Sequence, residues 1–329
     1  MILVLVEHVD GRPELTSLET IALARGIAAS VGEPLRAAVV GAGGPATAPT
    51  LAAHGVDTIH AIEHPGLAEY APAGWAASLA GLISSIGPAA VIASGTERGA
   101  EVMAHVAAGA GLPLAANCIE VRPGPGGGSA SWQVTRQRWG GSLLEDARLD
   151  GTPRLLTLAP HAVGAEEAAT PGRGAVESFA PELVARDLAV RVVRRVAPDA
   201  GTVSLADARV VVGGGRGVGS AEAFAQIVEL AALLGGAVGV SRAVTSAGWR
   251  PHAEQVGQTG MRIAPELYIA CGISGAIQHM VGARTAKRIL AINTDREAPM
   301  VTQATYAVIG DLHAIVPAIN AEIRRTTGR

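Results

Sequence analysis

A glycine-rich segment at 211–220, VVGGGRGVGS, has the residue types of a phosphate-binding turn. Such a turn follows a strand and opens a helix, whose free backbone N–H groups point at an anion. The segment lacks the lysine of a P-loop, and the dinucleotide spacing of glycines fails because its last position is Val218 or Ser220. We expect a helix capped by Ser220 and an Arg216 that faces a phosphate or a flavin ring. The alternative is a tight turn that lets the helix pack closely on the sheet.

Polar residues also follow the later strand-like runs. Ser241 and Arg242 come directly after one apolar run, and Asn293 and Asp311 come after two others. Open α/β sheets bind ligands at the carboxyl ends of their strands, where an adenosine is often held. The alternative for Asp311 is a cap on the last helix, and for the Ser-Arg pair a plain surface position.

Two segments between these runs add hydrogen-bonding groups. The polar turn 257–260 carries Thr259, whose hydroxyl donates or accepts. The small residues at 272–276 permit close approach of the backbone to a ligand, and we expect a helix to begin near Ser274 with its positive end towards that ligand. His279 would lie in the first turns of this helix, as a site residue or as an ordinary structural histidine.

Composition excludes several classes of protein. The 329 residues are 49% hydrophobic, and the net charge of -3, without a basic run, argues against a nucleic-acid partner. No apolar window is long enough for a membrane span, and the short apolar start predicts a buried strand in a cytoplasmic bacterial protein. Cys118 and Cys271 lie far apart, so we expect free thiols. The histidines and acidic residues do not cluster as metal ligands, and no hydrolytic motif occurs.

The elements that must position these residues alternate between strand and helix. Strand-like runs at 2–8 and 35–41 flank a helical pattern, for which Thr16 and Glu19 predict a capping box and Gly32 a C-terminal stop. The same alternation continues to residue 112. It is typical of a parallel sheet with helices on both faces.

After residue 112 the pattern changes from alternating strands and helices to strands joined by turns. Residues 116–149 predict strands around a hairpin loop at 122–130, and 152–160 predict another strand. We expect an exposed connection at 161–175 and an edge strand at 189–198.

A turn-rich stretch at 198–208 predicts a linker, so the chain would comprise an N-terminal α/β domain, 1–197, and a C-terminal domain, 209–329. The second domain repeats the alternation of strand and helix. Its predicted strands are 209–215, 237–243, 266–274, 288–295 and 306–311, with a helix at 221–235 and a last helix that contains Pro317.

Taken together, VVVGGGRGVGSAEAF, GVSRA, VGQTG, APELYIA, GISGAIQHM and ILAINTDREAPM resemble the FAD-binding domain of electron transfer flavoprotein alpha subunits. This resemblance covers 209–320. More weakly, LVLVEH, SGTERGAEVMAHVAAGAGLPL and TRQRWGGSL resemble the first domain of that family. The resemblance implies an N-terminal parallel-sheet domain of the adenine nucleotide alpha hydrolase type and a C-terminal Rossmann-like domain.

The resemblance also implies roles for individual residues. Arg242 would lie over the isoalloxazine, Thr259 would face flavin N5, and His279 would bond the C2 carbonyl. Positive charge near N1 and the C2 carbonyl favours an anionic flavin, and Arg242 and His279 would be suitable donors there. The resemblance implies the following FAD-binding residues: Arg216, Ser241, Arg242, Gln255, Val256, Gly257, Gln258, Thr259, Ser274, Gly275, Ala276, Ile277, Gln278, His279, Asn293, Asp311 and Leu312.

A member of this family would be an electron carrier rather than an enzyme. It would pair with a beta subunit through its N-terminal domain, take single electrons from flavoprotein dehydrogenases, and pass them to an acceptor such as a membrane-bound quinone oxidoreductase. Some relatives instead bifurcate electrons from NADH. Two further alternatives remain at this point: an NAD-dependent Rossmann-type dehydrogenase and a non-redox nucleotide-binding module.

Overall fold

The computed structural model of the protein describes residues 1–124, 131–193, 203–205 and 208–327. The chain divides into two compact units, Met1–Val196 and Ala197–Arg329. Most of the predicted linker, 198–208, lies outside the described residues, and so does 125–130 of the predicted hairpin loop.

The N-terminal unit alternates strand and helix and then adds an antiparallel hairpin. Its elements are β1 (Ile2–Val6), β2 (His8–Val9), β3 (Arg12–Pro13), α1 (Leu15–Val31), β4 (Leu35–Val40), α2 (Ala48–Ala53), β5 (Thr58–Ile62), α3 (Pro72–Ile86), β6 (Ala90–Ser94), α4 (Glu97–Ala110), β7 (Leu114–Arg122), β8 (Trp132–Arg138), β9 (Leu143–Leu149), β10 (Arg154–Leu158) and β11 (Ala175–Phe179).

These strands form one sheet in the order β11-β5-β4-β1-β6-β10-β7-β8-β9. The pairs are parallel from β11 to β7, and β8 and β9 continue antiparallel. Apolar residues of α1 pack on one face, and those of α3 and α4 pack on the other. Burial of both faces explains why β1, β5, β6 and β10 are buried along their whole length.

A buried glutamate side chain fills the space between β1 and β6 at the C-terminal ends of these strands. Glu7, which follows β1, is 6% exposed and accepts a hydrogen bond from the Thr96 hydroxyl after β6. Beside it, the Thr20 and Ser94 hydroxyls lie 3.0 Å apart. Burial raises the pKa of Glu7, although Thr96 and Arg98 act in the opposite direction.

The predicted capping box of the first helix is wrong. α1 begins at Leu15, so Thr16 lies inside the helix, and the N-cap position is held by Glu14 without a side-chain cap. The Glu19 carboxylate instead accepts from the backbone N–H of His161 at 2.9 Å, and its other oxygen lies 3.0 Å from Nδ1 of that histidine. The predicted stop is confirmed: Gly32 ends α1 in the left-handed conformation.

The predicted edge strand at 189–198 is also wrong over its described part, because 189–193 contain no strand and 194–198 lie outside the described residues. The edge strand next to β5 is β11, just beyond the predicted connection at 161–175. Its residues are mostly exposed, which removes the apolar signal expected of a strand.

The C-terminal unit is a smaller version of the same architecture. Its elements are β12 (Val210–Gly214), α5 (Ala225–Leu233), β13 (Ala237–Val240), α6 (Arg242–Ser246), β14 (Leu267–Cys271), α7 (Ile277–Ala283), β15 (Ile289–Asn293), α8 (Pro299–Thr302), β16 (Tyr306–Ile309) and α9 (Leu312–Thr327). All strand pairs are parallel, in the order β13-β12-β14-β15-β16. This is the five-stranded doubly wound order.

Two cores enclose the second sheet. Residues of α5 and α9 pack on one face, and residues of α7 and α8 pack with Tyr268 on the other. The last strand, β16, pairs with β15 alone among the described residues, and all four of its side chains are exposed, with Tyr306 at 60%.

Two expectations from composition have structural counterparts. Cys118 and Cys271 are free and buried, which confirms the predicted thiols. Among the described residues, no helix combines the length and the apolar character needed to cross a membrane.

Glu7→Gln should raise the unfolding temperature at pH 7.5. A carboxyl whose pKa is higher in the folded state stabilises that state fully when the pH is below its ordinary pKa of 4.5. This contribution is lost as the pH rises through the folded pKa. Glutamine keeps an acceptor for Thr96 and does not ionise, so its advantage should shrink towards pH 5. Thermal unfolding followed by circular dichroism at the two pH values tests this. The exposed Glu63→Gln is the control, and a variant less stable than wild type at pH 7.5 contradicts the prediction.

Candidate functional site

The candidate site lies where the strand order of the second sheet reverses. From β12 the chain passes to β13 on one side, and β14 adjoins β12 on the other, so the helices that follow β12 and β14 lie on opposite faces of the sheet. The N–H of Gly215 donates to Cys271 O at 2.9 Å, and the N–H of Gly217 donates to Gly272 O at 3.1 Å. Such a switch point leaves a crevice at the carboxyl ends of the strands.

Backbone contact between the two turns requires their glycines. A Cβ on Gly215 would lie 2.2 Å from Gly272 O, and one on Gly217 would lie 2.8 Å from Gly272 Cα. Gly272 itself has φ +61°, in the left-handed region that favours glycine. The glycine-rich segment is therefore a tight packing turn.

The amides of this turn are already used within the protein. Besides Gly215 and Gly217, the N–H groups of Val218 and Gly219 donate to Gly215 O and Arg216 O. The expectation that the helix follows the turn directly is wrong, because the turn folds into a short 3-10 helix instead of opening α5. Ser220 accepts from the N–H of Ala223 at 3.3 Å and so caps the following 3-10 turn rather than α5 itself.

Hydrogen bonds bring the other predicted segments to the same edge. The N–H of Ser241 donates to Gly214 O at 3.1 Å, which joins the start of α6 to the end of β12. The N–H of Gln258 donates to Gln278 O at 2.8 Å, which joins the polar turn to α7. The Asn293 side-chain amide donates to Ile273 O at 3.0 Å, which joins the turns after β14 and β15.

Two adjoining chambers result. The first, of about 420 Å³, includes Arg216, Ser241, Ser274 and Asn293 in its lining. The second, of about 220 Å³, shares Ser241 and Ser274 with the first, so the two form one elongated cleft. Predicted residues that line the second chamber are Ser241, Arg242, Gln255, Val256, Gly257, Gln258, Thr259, Ser274, Ala276, Gln278 and His279.

Four predicted residues do not line either chamber. Gly275 turns the chain with φ +78° against Met300, and Ile277 is 68% exposed. Leu312 belongs to the core between α5 and α9. Asp311 accepts from the N–H of His313 at 2.9 Å, which is the capping role left open by the sequence.

The predicted helix start near Ser274 is wrong as well. α7 begins three residues later, at Ile277, with Ala276 in the N-cap position. The bend at Gly275 delays it, since a residue in the left-handed region does not continue a right-handed helix. Gly272 and Ile273, from the segment 272–276 predicted to approach a ligand, line the cleft, and so do four residues that the sequence analysis did not assign: Gly217, Ala243, Asp295 and Ala298. Asn293 ends β15 and Asp295 follows it by two residues, so the signal of a polar residue at the end of a strand could have found Asp295.

His279 is buried in the wall of the second chamber. Its Nε2 lies 2.8 Å from the hydroxyl of the fully buried Tyr268, and its Nδ1 has no hydrogen-bond partner among the described residues. Burial lowers the pKa of His279 to about 4, against a small opposite effect of the Val256 backbone. With this pKa the imidazole is neutral at pH 7, and it can still donate a hydrogen bond from a ring nitrogen.

Positive charge at the cleft comes from Arg216 and Arg242, both of which are exposed. Over the part of the chain that the structure describes, neither forms an ion pair with a carboxylate, and no group of side chains could hold a metal ion. The cleft thus offers guanidinium groups, hydroxyls and one neutral imidazole, a set suited to binding an anionic, ring-containing ligand.

Comparison with known proteins gives a consistent result. Residues 2–184 match the model of the electron transfer flavoprotein domain, and residues 204–284 match that of the electron transfer flavoprotein FAD-binding domain. The electron transfer flavoprotein subunit alpha of Mycobacterium tuberculosis is 40% identical, with 99% of each chain aligned. That of Syntrophomonas wolfei is 35% identical over 98% of each chain. The protein FixB of Clostridium saccharobutylicum is 33% identical over 98% of this chain and 95% of its own.

Gly215→Ala should destabilise the C-terminal unit by about 1–3 kcal/mol, because the added methyl group meets backbone that cannot rotate away. Urea unfolding monitored by circular dichroism measures the change. Gly109→Ala in α4 has nothing within 4 Å of the new Cβ and should be neutral or stabilising. Equal stability of Gly215→Ala and wild type would show that the two turns separate easily.

Proposed function

The chain belongs to the electron transfer flavoprotein alpha-subunit family, and from that premise we propose that its switch-point cleft holds FAD for single-electron transfer. The C-terminal domain is of the FAD-binding type that gives the family its name. The observation that carries the proposal is the pair of adjoining chambers with different linings.

The residues present fit a flavin dinucleotide. The first chamber combines the Arg216 guanidinium with hydroxyl and amide groups, which suits a pyrophosphate and an adenosine ribose. The second combines Thr259 and His279 with apolar Val256 and Ile273, which suits a flat ring with polar edges. The buried, unpartnered Nδ1 of His279 supports a ligand here, since buried polar atoms are nearly always hydrogen-bonded.

Each polar residue of the cleft would have a distinct task. The Arg242 guanidinium would stabilise negative charge on the ring. His279 would donate as a neutral imidazole: if Tyr268 donates to Nε2, the ring proton lies on Nδ1. Asn293 would order the adenosine side while its amide holds the turn after β14. When bound, FAD supplies the one-electron chemistry that amino-acid side chains lack.

The cleft's hydrogen-bonding groups favour a carrier over a dehydrogenase of its own. With a pKa of about 4, His279 is already deprotonated at pH 7 and is a weak general base there. Fixed charges and hydrogen bonds are what an electron carrier needs, since it moves no proton to or from a substrate.

The partners in this proposal follow the family. The N-terminal unit would bind a beta subunit, flavoprotein dehydrogenases would supply electrons, and a quinone oxidoreductase would accept them. The alternative is a bifurcating complex that oxidises NADH, which the 33% identity to a FixB protein keeps in view.

The test is co-expression with an electron transfer flavoprotein beta subunit, followed by purification of the complex. A 1:1 complex with flavin absorbance near ~450 nm, a property of the cofactor, supports the proposal. A purified complex without flavin contradicts it. Reduction of the bound flavin by NADH would favour the bifurcating alternative, and reduction by an acyl-CoA dehydrogenase with its substrate would favour the simple carrier.

Arg242→Ala should lower the first one-electron potential of the bound flavin with little effect on folding, because the side chain is exposed and its charge is lost. A tenfold change in the one-electron equilibrium corresponds to about 59 mV. Potentiometric titration measures the shift, and Arg242→Lys should retain part of the wild-type value. Potentials equal to wild type in Arg242→Ala would remove this residue from the ring's surroundings.

A further inference from the structure

Three side chains beside the second chamber form a continuous hydrogen-bond chain. The Thr245 hydroxyl donates to Gln255 Oε1 at 2.5 Å, and Gln255 Nε2 donates to the Thr259 hydroxyl oxygen at 2.9 Å. Thr259 and Gln255 line the chamber, whereas Thr245 lies behind them on α6. The chain thus runs from a residue outside the cleft to a hydroxyl at its wall.

The middle of this chain is held in place by backbone. The N–H of Gln255 donates to His252 O at 2.9 Å, its C=O accepts from the N–H of Met261 at 2.6 Å, and the next N–H, of Val256, donates to Val240 O at 2.9 Å. Gln255 is 2% exposed. The movement that remains is a rotation of the Gln255 carboxamide by about 180°, which would exchange the positions of Oε1 and Nε2.

That half-turn would reverse what Thr259 offers to the cleft. With Gln255 Nε2 towards Thr259, the Thr259 oxygen accepts, and its proton is left for a group in the chamber. With Oε1 towards Thr259, the proton would be used on Gln255 and only a lone pair would face the chamber. Thr245 decides between the two, because it presents its proton to Gln255. The competing acceptor, Arg242 O, is farther away at 3.0 Å.

We propose that Thr245 is a positioning residue that, through Gln255, keeps Thr259 a hydrogen-bond donor to the ligand ring. This inference rests on the proposed function, in which the second chamber holds the flavin ring. Addition of one electron from dithionite, without a proton, makes the ring anionic. A donor stabilises that state more than the oxidised one, so loss of the donor lowers the potential.

The experiment uses the flavin-loaded complex with the beta subunit and compares the first one-electron potential and the visible spectrum. Thr245→Val keeps the shape and removes the hydroxyl, and Thr245→Ala is a second variant if valine hinders folding. We expect either variant to lower the equilibrium constant for one-electron reduction of the bound flavin about threefold. At 59 mV per tenfold change, this lowers the potential by roughly 28 mV. Thr259→Val should shift it in the same direction and at least as far.

Thr245→Ser should have the wild-type potential, since serine keeps the hydroxyl. Ser246→Ala, on an exposed neighbour in the same helix, should leave it unchanged. Wild-type potentials in Thr245→Val and Thr245→Ala beside a shifted Thr259→Val would overturn the positioning role. So would a serine variant as shifted as the valine one, or a Thr259→Val with unchanged potentials. A wild-type complex without flavin would overturn the proposed function itself.

Discussion

The crossing of two glycine turns is the constraint on which the candidate site depends. Gly215 and Gly217 press against Gly272 backbone to backbone, and hydrogen bonds from both amides fasten the contact. The crossing fixes where Arg216, Ser241 and Ser274 emerge around the cleft. It also engages the amides of Gly215 and Gly217 within the protein, so these two amides are not offered to a phosphate.

The two units show two outcomes of one architecture, a parallel sheet with helices on both faces. In the N-terminal sheet, the edge between β1 and β6 is filled by Glu7, Thr96 and their neighbouring hydroxyls, which satisfy one another. In the C-terminal sheet, glycines of the turns after β12 and β14 meet at the corresponding edge, and the polar side chains around them line an open cleft. A doubly wound sheet provides the position for a site, but the residues after the strands decide whether it is available.

Sequence patterns predicted most of this framework because buried parallel strands read as apolar runs. They failed at Glu19, where a distant partner, His161, replaces the predicted role in capping α1. They also failed at the start of α7, which the left-handed Gly275 delays. The exposed strand β11 carried no apolar signal. The chain from Thr245 to Thr259 could not be predicted, since it depends on how α6 faces Gln255 and on which end of an amide points where.

The open edge at β16 has a consequence for handling the protein. Within the described residues, β16 pairs with β15 alone and its four side chains are exposed, so its outer edge offers backbone N–H and C=O groups to an extended peptide. Produced without a partner that covers it, the chain would tend to stack edge to edge and precipitate, through the same backbone geometry that elsewhere builds its own sheet. The solubility of the purified chain would then indicate whether a partner covers β16.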